Sequence, residues 1–326
     1  MGNTEPGERG IVRSRLLHRV IPVSLAGALL VLLPWIDFWP SRFVSVLQAL
    51  LPLLCLAAVA YSVVLLFRRA WILAAVLLVC LVLSLAPTLA PGTQAVCPPG
   101  SQFTVLSLNA GRGHTDPAGL AKEVSTADPD ILVLVEASEP MIKALASSTA
   151  GWDYTERTGP LRTGGSVDTV ILSRYPLRSE EPAAWQSDGA LFDIPVALID
   201  LPRAGQIRVA GIHPVPPTHD PAFWERTLNV LADWVQPRTD LPLVLAGDFN
   251  GARAHPQFRA LAEGFDEAPP SYGPVPMGTW PANSVFPAFA AIDHVLVRGM
   301  ASQGSQRFLV PGTDHFGIIA QLSACG

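Results

Sequence analysis

The chain of 326 residues has little charge, little lysine and little cysteine. Only 15% of its residues are charged while 49% are hydrophobic, and its mean hydropathy is +0.35. Four cysteines are too few for a disulfide framework, and the abundant apolar residues exclude a disordered or collagen-like chain. Its only lysines are Lys122 and Lys143 and its net charge is −5, which disfavours binding of nucleic acid through bulk positive charge.

The few charges are unevenly distributed along the chain. The first hundred residues carry a net charge of about +4, and the remaining 226 carry about −9. Three stretches of the first part contain no charged residue, at residues 20–36, 43–67 and 70–90. A helix needs roughly 20 residues to cross a bilayer. We therefore expect three transmembrane helices, which form a membrane anchor over residues 20–90.

The first apolar stretch also fits the core of a secretory signal, because it is the shortest and has Pro22 and Pro34 near its ends. No small-residue cleavage site follows it promptly, and two further stretches do follow, so we expect a retained helix. Trp35, Trp39 and Trp71 lie near the expected helix ends, where indole rings favour the membrane interface.

The arginines predict the orientation in the membrane. Several arginines precede the first stretch, and Arg68 and Arg69 separate the second from the third, whereas the loop after the first stretch offers only Arg42 beside Asp37. Positive residues favour the cytoplasmic side, so residues 1–19 are expected to form a cytoplasmic tail. Three crossings then place the C-terminal part outside the cytoplasm.

The pattern changes after a short linker at residues 91–101. Short β-rich stretches alternate with amphipathic helical segments, which predicts one α/β domain over residues 102–326. Strands are expected at residues 103–108, 131–135, 169–172, 194–201, 207–212, 243–246, 292–297 and 316–322. Helices are expected at residues 117–126, 141–147, 221–234 and 256–262, several of them with proline in the first turn.

Polar side chains stand where these strands end or begin. Taken singly, each fits a turn, a charge at a helix N-terminus or a loop histidine. Taken together, they provide what phosphate-ester hydrolysis needs: oxygen ligands for a hard cation, imidazoles to protonate phosphate oxygens, and carboxylates to orient water. These residues are Asn109, Glu136, His213, Asp248, Asn250, Asp314 and His315.

The motifs around these residues resemble the endonuclease/exonuclease/phosphatase superfamily. In chain order they are SLNAGRG with Asn109, LVLVEAS with Glu136, TVILSRYPL, GIHPVPP with His213, AGDFNG with Asp248 and Asn250, AIDHVLV with Asp293, and GTDHFGI with Asp314 and His315. The resemblance covers residues 102–323 and none of the membrane part. It implies a four-layered α/β sandwich with the site at one edge of two packed sheets. The implied reaction is in-line attack by water on a phosphoester held by Mg²⁺ or Mn²⁺.

The resemblance assigns one group of residues to the metal and to a histidine. Glu136 resembles the principal metal ligand, helped by Asn109 and Asp314. His315 resembles the histidine that acts on the phosphate or on the attacking water. Asp293 matches the carboxylate that orients this histidine.

A second group has roles around the phosphate. His213 resembles a second catalytic histidine, Asp248 the carboxylate that positions water, and Asn250 the amide that holds the phosphate. Asp168 matches a carboxylate that orients His213 in some members. Trp280 belongs to the stretch before the I-D strand, where it either flanks the site or serves ordinary packing.

Cys97 and Cys325 bracket the predicted domain, whereas Cys55 and Cys80 lie within the apolar stretches. The fold implied by the resemblance brings the first and last strands close together, and the expected compartment is oxidising. We therefore predict a disulfide between Cys97 and Cys325.

The predicted function is that of a membrane-anchored, metal-dependent phosphoesterase in the lipid bilayer, acting outside the cytoplasm on a phosphodiester or a phosphomonoester. Its substrate class stays open among a lipid headgroup, nucleic acid and a small phosphate. One alternative is an extracytoplasmic nuclease for DNA or RNA. Another is an inactive binding module, which the complete set of site residues disfavours. A channel or transporter is disfavoured because the apolar stretches contain no charge.

Overall fold

The computed structural model of the chain describes residues 20–38, 40–89, 97, 100–159, 168–185, 193–268 and 278–325. The expected cytoplasmic tail 1–19, Trp39 and most of the linker 91–101 lie outside these residues. The predictions made for them therefore stay predictions.

Two six-stranded sheets form the centre of the C-terminal part. The first has the strand order β11-β12-β1-β2-β4-β3 and the second the order β5-β6-β7-β8-β10-β9. All eight predicted strands are confirmed, and four further strands, β3, β5, β9 and β11, were not predicted. The strands are β1 (Gln102–Asn109), β2 (Ile131–Ala137), β3 (Glu156–Arg157), β4 (Asp168–Ser173), β5 (Leu177–Glu180), β6 (Val196–Leu201), β7 (Gly205–Ile212), β8 (Leu243–Asp248), β9 (Asp266–Glu267), β10 (Asp293–Arg298), β11 (Met300–Phe308) and β12 (Gly317–Ala324).

The four predicted helices of this part are also confirmed. They are α5 (Pro117–Ala127), α6 (Glu139–Ser148), α7 (Pro221–Val235) and α8 (Pro256–Leu261). The carboxylates of Asp116 and Asp220 accept backbone N–H groups at the starts of α5 and α7, and the Ser138 hydroxyl does so for α6. Each helix has a proline in its first turn, where the missing N–H costs nothing.

The core has the four layers that the resemblance implies. Alternate strand residues such as Val105 and Val244 meet between the two sheets. The intervening residues, such as Leu106, face outward onto α5 and α6, while α7 and α8 cover the second sheet. Because side chains alternate along a strand, each sheet buries both faces and its strands are almost continuously apolar.

The described residues of the N-terminal part include four apolar helices, which are α1 (Val20–Trp35), α2 (Arg42–Ala49), α3 (Leu51–Phe67) and α4 (Trp71–Leu85). Within the described residues, only Trp71–Thr88 is by itself long and apolar enough to cross a membrane, with a mean hydropathy of 2.4. α2 and α3 meet such a criterion only as a pair bent by 61°, and α1 is a shorter apolar helix. The expectation of three transmembrane helices is therefore not supported.

Proline explains why the apolar stretch 43–67 is not one straight helix. Pro52 stands in the first turn of α3 and lacks the N–H that would bond the carbonyl four residues earlier, so α2 ends at Ala49. The side-chain amide of Gln48 donates to the carbonyls of Leu33 and Ile36, both at 2.9 Å, at the end of α1. The bend thus places a polar side chain against the open end of a neighbouring helix.

The predicted disulfide between Cys97 and Cys325 is confirmed. β1 and β12 are antiparallel neighbours, with Gln102 opposite Ser323. The bond therefore joins the two ends of the domain beside the strand pair that begins and closes it.

Candidate functional site

Strand direction brings the predicted site residues to one edge of the sandwich. β1 and β2 are parallel neighbours in one sheet, and β7 and β8 are parallel neighbours in the other, so the ends of each pair reach the same edge. β12 and β10 run antiparallel to β1 and β8, so their first residues lie at that edge too. A cleft of about 1230 Å³ opens there. Its lining includes Asn109, Glu136, His213, Asp248, Asn250, Asp314 and His315.

His315 and Asp293 form a buried pair, in which the ring Nδ1–H donates to the Asp293 carboxylate at 2.9 Å. Thr313 positions this histidine, because its hydroxyl oxygen accepts the His315 N–H at 3.1 Å and donates to the carbonyl of Asn109 at 2.7 Å. Burial alone would lower the pKa of His315, but the carboxylates of Asp293 and Asp248 outweigh it and raise the pKa to about 10. His315 is therefore an imidazolium at neutral pH.

Asp248 and Asp293 are buried directly opposite each other on β8 and β10. Burial and the neighbouring Asp293 raise the pKa of Asp248 to about 7. The Asn109 amide donates to Asp248 Oδ2 at 3.0 Å and the Asn250 N–H donates to Oδ1 at 2.8 Å, and both bonds favour the ionised form. Two buried carboxylates directly opposite each other destabilise a sheet. Such unfavourable charge pairs are concentrated at functional sites.

Glu136 lies in a β-bulge of β2, between Leu134 and Ala137 in the pairing with β4. Its φ of 52° is in the left-handed region, which is rare for residues with a Cβ. One carboxylate oxygen accepts the Arg112 N–H at 2.8 Å, and the other lies 3.6 Å from Nε2 of His213. The bulge thus redirects this side chain into the cleft.

His213 differs from His315 in protonation. Burial, followed by the positive charge of His315, lowers the pKa of His213 to about 3. His213 is therefore neutral at physiological pH. The cleft holds one charged and one neutral imidazole side by side with acidic groups.

Asn250 and Asp314 lie nearer the opening of the cleft. Asn250 has a φ of 49°, and its side-chain amide donates to the carbonyl of Pro214 at 3.2 Å. Asp314 is exposed and accepts the indole N–H of Trp280 at 2.9 Å. Trp280 therefore flanks the site, which was one of the two roles predicted for it; the other was ordinary packing.

Three features of the site were not predicted from the sequence. Thr313 stands in the GTDHFGI motif, but nothing in the motif distinguishes it from a turn residue. The buried hydroxyl of Thr279 accepts the N–H groups of Ile292 and Asp293, both at 3.1 Å, and so fixes the start of β10. Residues of α2 also line the cleft, and no local pattern indicates that contact.

Two further residues near the motifs, His294 and Asp168, do not line the cleft. The His294 ring hydrogen-bonds to Glu267 at 2.6 Å and to the Gly251 carbonyl at 2.8 Å, so His294 is a packing histidine. Asp168 begins β4, and its carboxylate accepts the Thr169 N–H at 2.8 Å. The role of Asp168 in orienting His213 stays a prediction.

The donor chemistry of the cleft fits a hard divalent cation. Glu136, Asp314 and Asn109 offer carboxylate and amide oxygens, which such cations prefer. Among the described residues, Asp248, Asp293 and His315 also bring ligand atoms within 4.8 Å of one another. In this second group, Nδ1–H of His315 is hydrogen-bonded to Asp293. The cleft therefore offers two candidate groups of ligands for a divalent cation.

Comparison with known proteins agrees with this geometry. Residues 106–315 match the endonuclease/exonuclease/phosphatase family. A family structure from Beutenbergia cavernae DSM 12333 has 18% identity and a TM-score of 0.51, covering 69% of this chain and 72% of its own. A structure of D. rerio TDP2 complexed with a single-strand DNA product has 14% identity and a TM-score of 0.53, covering 69% and 100%.

A functionally unknown conserved protein from Enterococcus faecalis V583 has 15% identity and a TM-score of 0.53, covering 68% of this chain and 100% of its own. At these identities the likeness shows the fold alone. No curated protein matches the chain. The family match by itself spans more than half of the chain. The matched residues run from β1 to His315, just before β12, and include every predicted site residue, so the chain belongs to the endonuclease/exonuclease/phosphatase family.

Proposed function

We propose that the chain is a metal-dependent phosphoesterase that hydrolyses a phosphodiester or phosphomonoester by in-line attack of water. Members of its family are hydrolases that act on phosphoester bonds. The observation that carries the proposal is the convergence of a charged His315, a neutral His213 and the carboxylate of Asp248 in one cleft.

The protonation state of each side chain suits it to a different catalytic role. The His315 imidazolium donates to a phosphoryl oxygen and offsets charge that develops in the transition state, while Asp293 holds its ring. Asp248 has a raised pKa, which suits a carboxylate that orients water and accepts its proton. Asn250, beside Asp248, supplies a neutral amide for the phosphate.

Charge supports the need for a cation. The carboxylates of Glu136, Asp248 and Asp314 line the cleft and that of Asp293 is paired with His315, whereas the positive charges are those of His315 and Arg112. The acidic groups therefore outnumber the cations and would repel an anionic phosphate. A divalent cation such as Mg²⁺ or Mn²⁺, held by Glu136 with Asn109 and Asp314, would offset this charge and polarise the phosphoester.

We also propose that the N-terminal helices anchor the chain in a membrane. The polar side chains of Gln48, Ser62 and Ser84 are buried among the helices, while Leu56 and Ile72 are exposed. Apolar side chains such as Leu77 are buried there as well, but exposed large apolar side chains together with buried polar ones are unusual for a soluble helical bundle and suit a hydrocarbon surrounding.

We place the catalytic domain outside the cytoplasm. Arg68 and Arg69 are exposed in the turn between α3 and α4, where positive charge favours the cytoplasmic side. The disulfide between Cys97 and Cys325 is typical of an oxidising compartment. Protease added to intact cells should cleave the C-terminal domain, and full protection would contradict this placement.

The activity is tested with the purified full-length chain in detergent, on bis(p-nitrophenyl) phosphate and p-nitrophenyl phosphate with Mg²⁺ or Mn²⁺. We expect hydrolysis that EDTA abolishes and that Glu136→Gln reduces strongly. Activity that survives both EDTA and this substitution would contradict the metal assignment. Plasmid DNA and RNA in parallel distinguish a nuclease, since a domain with a net charge of about −9 should cleave them poorly.

A further inference from the structure

The catalytic domain does not form its cleft alone. The lining includes Ser45, Val46, Ala49 and Leu50, which come from α2 and its junction with α3 and are called the α2 wall below. These residues border the same cleft as His315. A helix outside the catalytic domain therefore forms part of the space that a substrate must enter.

The α2 wall is held to the catalytic domain by specific bonds. The His255 ring is buried, and its Nδ1 accepts the Ala252 N–H at 2.9 Å, so Nε2–H is free to donate to the Ser45 carbonyl at 3.0 Å. Arg259 donates to the Pro34 carbonyl at the end of α1. These bonds fix the position of α2 relative to the cleft.

Another border of the cleft is a loop over residues 280–290, whose ends pair through a bridge between Trp280 and Ala290. Trp280 and Phe289, near those ends, line the cleft. At its tip, called the apolar tip below, Val285 is 100% exposed and Phe286 is 72% exposed. Adjacent large apolar side chains at such exposure mark an interaction surface.

The outward surface of α2 is apolar as well. Phe43 is 76% exposed, while the polar Ser45 and Gln48 of the same helix are buried. The entrance to the cleft is thus bordered by two apolar surfaces. One of them belongs to the helices that we propose to lie in a membrane, so the occupant of this entrance should itself be a membrane component.

On the basis of the proposed function, we infer that the substrate is a phospholipid of the bilayer that holds the N-terminal helices. Its phosphate enters the cleft toward His213 and His315, while its acyl chains stay in the bilayer beside the α2 wall and the apolar tip. The cleft of about 1230 Å³ exceeds the range of about 300–1,000 Å³ that is usual for small-molecule pockets, which leaves room for a headgroup.

The reaction conserves atoms without a further co-reactant. Water attacks the phosphorus, one P–O ester bond breaks, and the leaving oxygen takes a proton. A phosphodiester lipid then yields a phosphomonoester and an alcohol.

The test uses the full-length chain reconstituted in vesicles of phosphatidylcholine and phosphatidylglycerol with Mg²⁺. Release of water-soluble headgroup product is measured beside hydrolysis of the deacylated glycerophosphodiesters and of bis(p-nitrophenyl) phosphate. We expect the lipids to be cleaved at least about tenfold faster than their deacylated forms, since burial of acyl methylenes adds binding energy.

Two variants examine the apolar borders. The double substitution Val285→Ser with Phe286→Ser, and separately Phe43→Ser on the outward surface of α2, should each lower the rate on vesicle lipid by about tenfold while leaving hydrolysis of bis(p-nitrophenyl) phosphate unchanged. The unchanged soluble reaction shows that the variants fold. Matched controls are Phe223→Ser on α7 and Val79→Ser on α4, which are exposed but do not line the cleft.

Each outcome decides between the two proposals. Equal rates on lipids and their deacylated forms, or equal losses on lipid and soluble substrates in the variants, overturn the lipid inference and leave the phosphoesterase in place. Preferred cleavage of plasmid DNA likewise overturns the lipid inference. Absence of hydrolysis of every phosphoester overturns the proposed function and the inference with it.

Discussion

In the part of the chain that the structure describes, the N-terminal helices and the catalytic domain both bury apolar side chains, but only the helices also expose many large apolar side chains. In the catalytic domain, apolar residues such as Val105 and Val244 are buried between sheets. In the helices, Ile72 is 79% exposed while Ser84 is fully buried. Since burial of apolar surface stabilises a protein only against water, the two regions are suited to two different solvents.

The difference teaches where function is located. The catalytic domain brings two buried carboxylates and a buried histidine, Asp248, Asp293 and His315, together at one edge. The helices contain no comparable cluster among their described residues. Their contribution is a wall and an attachment, while the chemistry belongs to the domain.

The comparison predicts that the chemistry depends on the domain alone, and His315→Ala tests this most strongly. Loss of the imidazolium should lower kcat on bis(p-nitrophenyl) phosphate by about 10²–10⁴-fold, the usual contribution of a general acid or base. Steady-state kinetics of the detergent-solubilised chain measures the effect. An unchanged thermal melt shows that the fold survives, and retained activity would contradict the assigned role.

The disulfide should stabilise the domain and leave the helices unaffected. Cys97→Ser removes a bond that closes a loop of sequence separation 228, for which a loss of about 2–5 kcal/mol is typical. Thermal melting of the full chain measures the loss. In the unreduced, denatured chain we expect two reactive thiols, from Cys55 and Cys80. Reactive thiols at Cys97 and Cys325 would contradict the bond.

A buried ionic network gives the domain a pH dependence. Burial raises the pKa of Glu267, but His294 and Arg253 outweigh it and lower the pKa to about 2. Because the folded pKa lies below the unfolded value of about 4.3, this group stabilises the fold fully above about pH 4.3 and progressively less as the pH falls toward 2.

Glu267→Gln should therefore cost about 3 kcal/mol at neutral pH and remove part of the acid sensitivity. Thermal melts between pH 3 and pH 7 measure both effects. Glu263→Gln, at an exposed acid two residues after α8, is the control and should melt like the original chain. Equal acid sensitivity with and without Glu267 would show that other groups dominate.

The smallest effect concerns the junction of the two regions. His255→Phe removes the hydrogen bond to the Ser45 carbonyl and the acceptor of the Ala252 N–H, which should cost about 1–3 kcal/mol. The melting temperature in detergent measures the cost, with exposed His219→Phe as the control. No change would show that the regions hold together without this bond.

Much of the domain was predictable because local rules and global packing agree. The stretches ILVLV and FTVLSL are apolar on both faces, as central strands with two covered faces must be, and both were predicted. β11 was missed because MASQGSQRF has the polar composition of a loop, and only its pairing with β12 makes it a strand.

The residues of the site were predictable from the sequence, but their protonation states were not. Sequence order and resemblance pointed to His213 and His315 alike. Only their surroundings make His213 neutral and His315 charged, since the first is buried near that positive charge and the second is paired with Asp293.

In the N-terminal helices, the sequence-based prediction of the secondary structure was wrong at one proline. Apolar length over residues 43–67 predicted one helix, yet Pro52 removes a backbone donor and the chain bends by 61°. The proline was visible in the sequence. Whether a helix ends or merely kinks at a proline depends on what satisfies the freed carbonyl groups, which local composition does not reveal.

Little lysine, little charge and few cysteines were the first features of this chain, and the sequence alone determined from them a division into an apolar part and an acidic α/β part. It also determined the residue types of the site, because phosphoester chemistry needs carboxylates, amides and histidines. Tertiary structure decided how these residues meet, which carboxylates are forced together, and that α2 borders the cleft. The physical reason is that pKa values, strain and cleft walls arise from neighbours distant in sequence, and no local pattern records them.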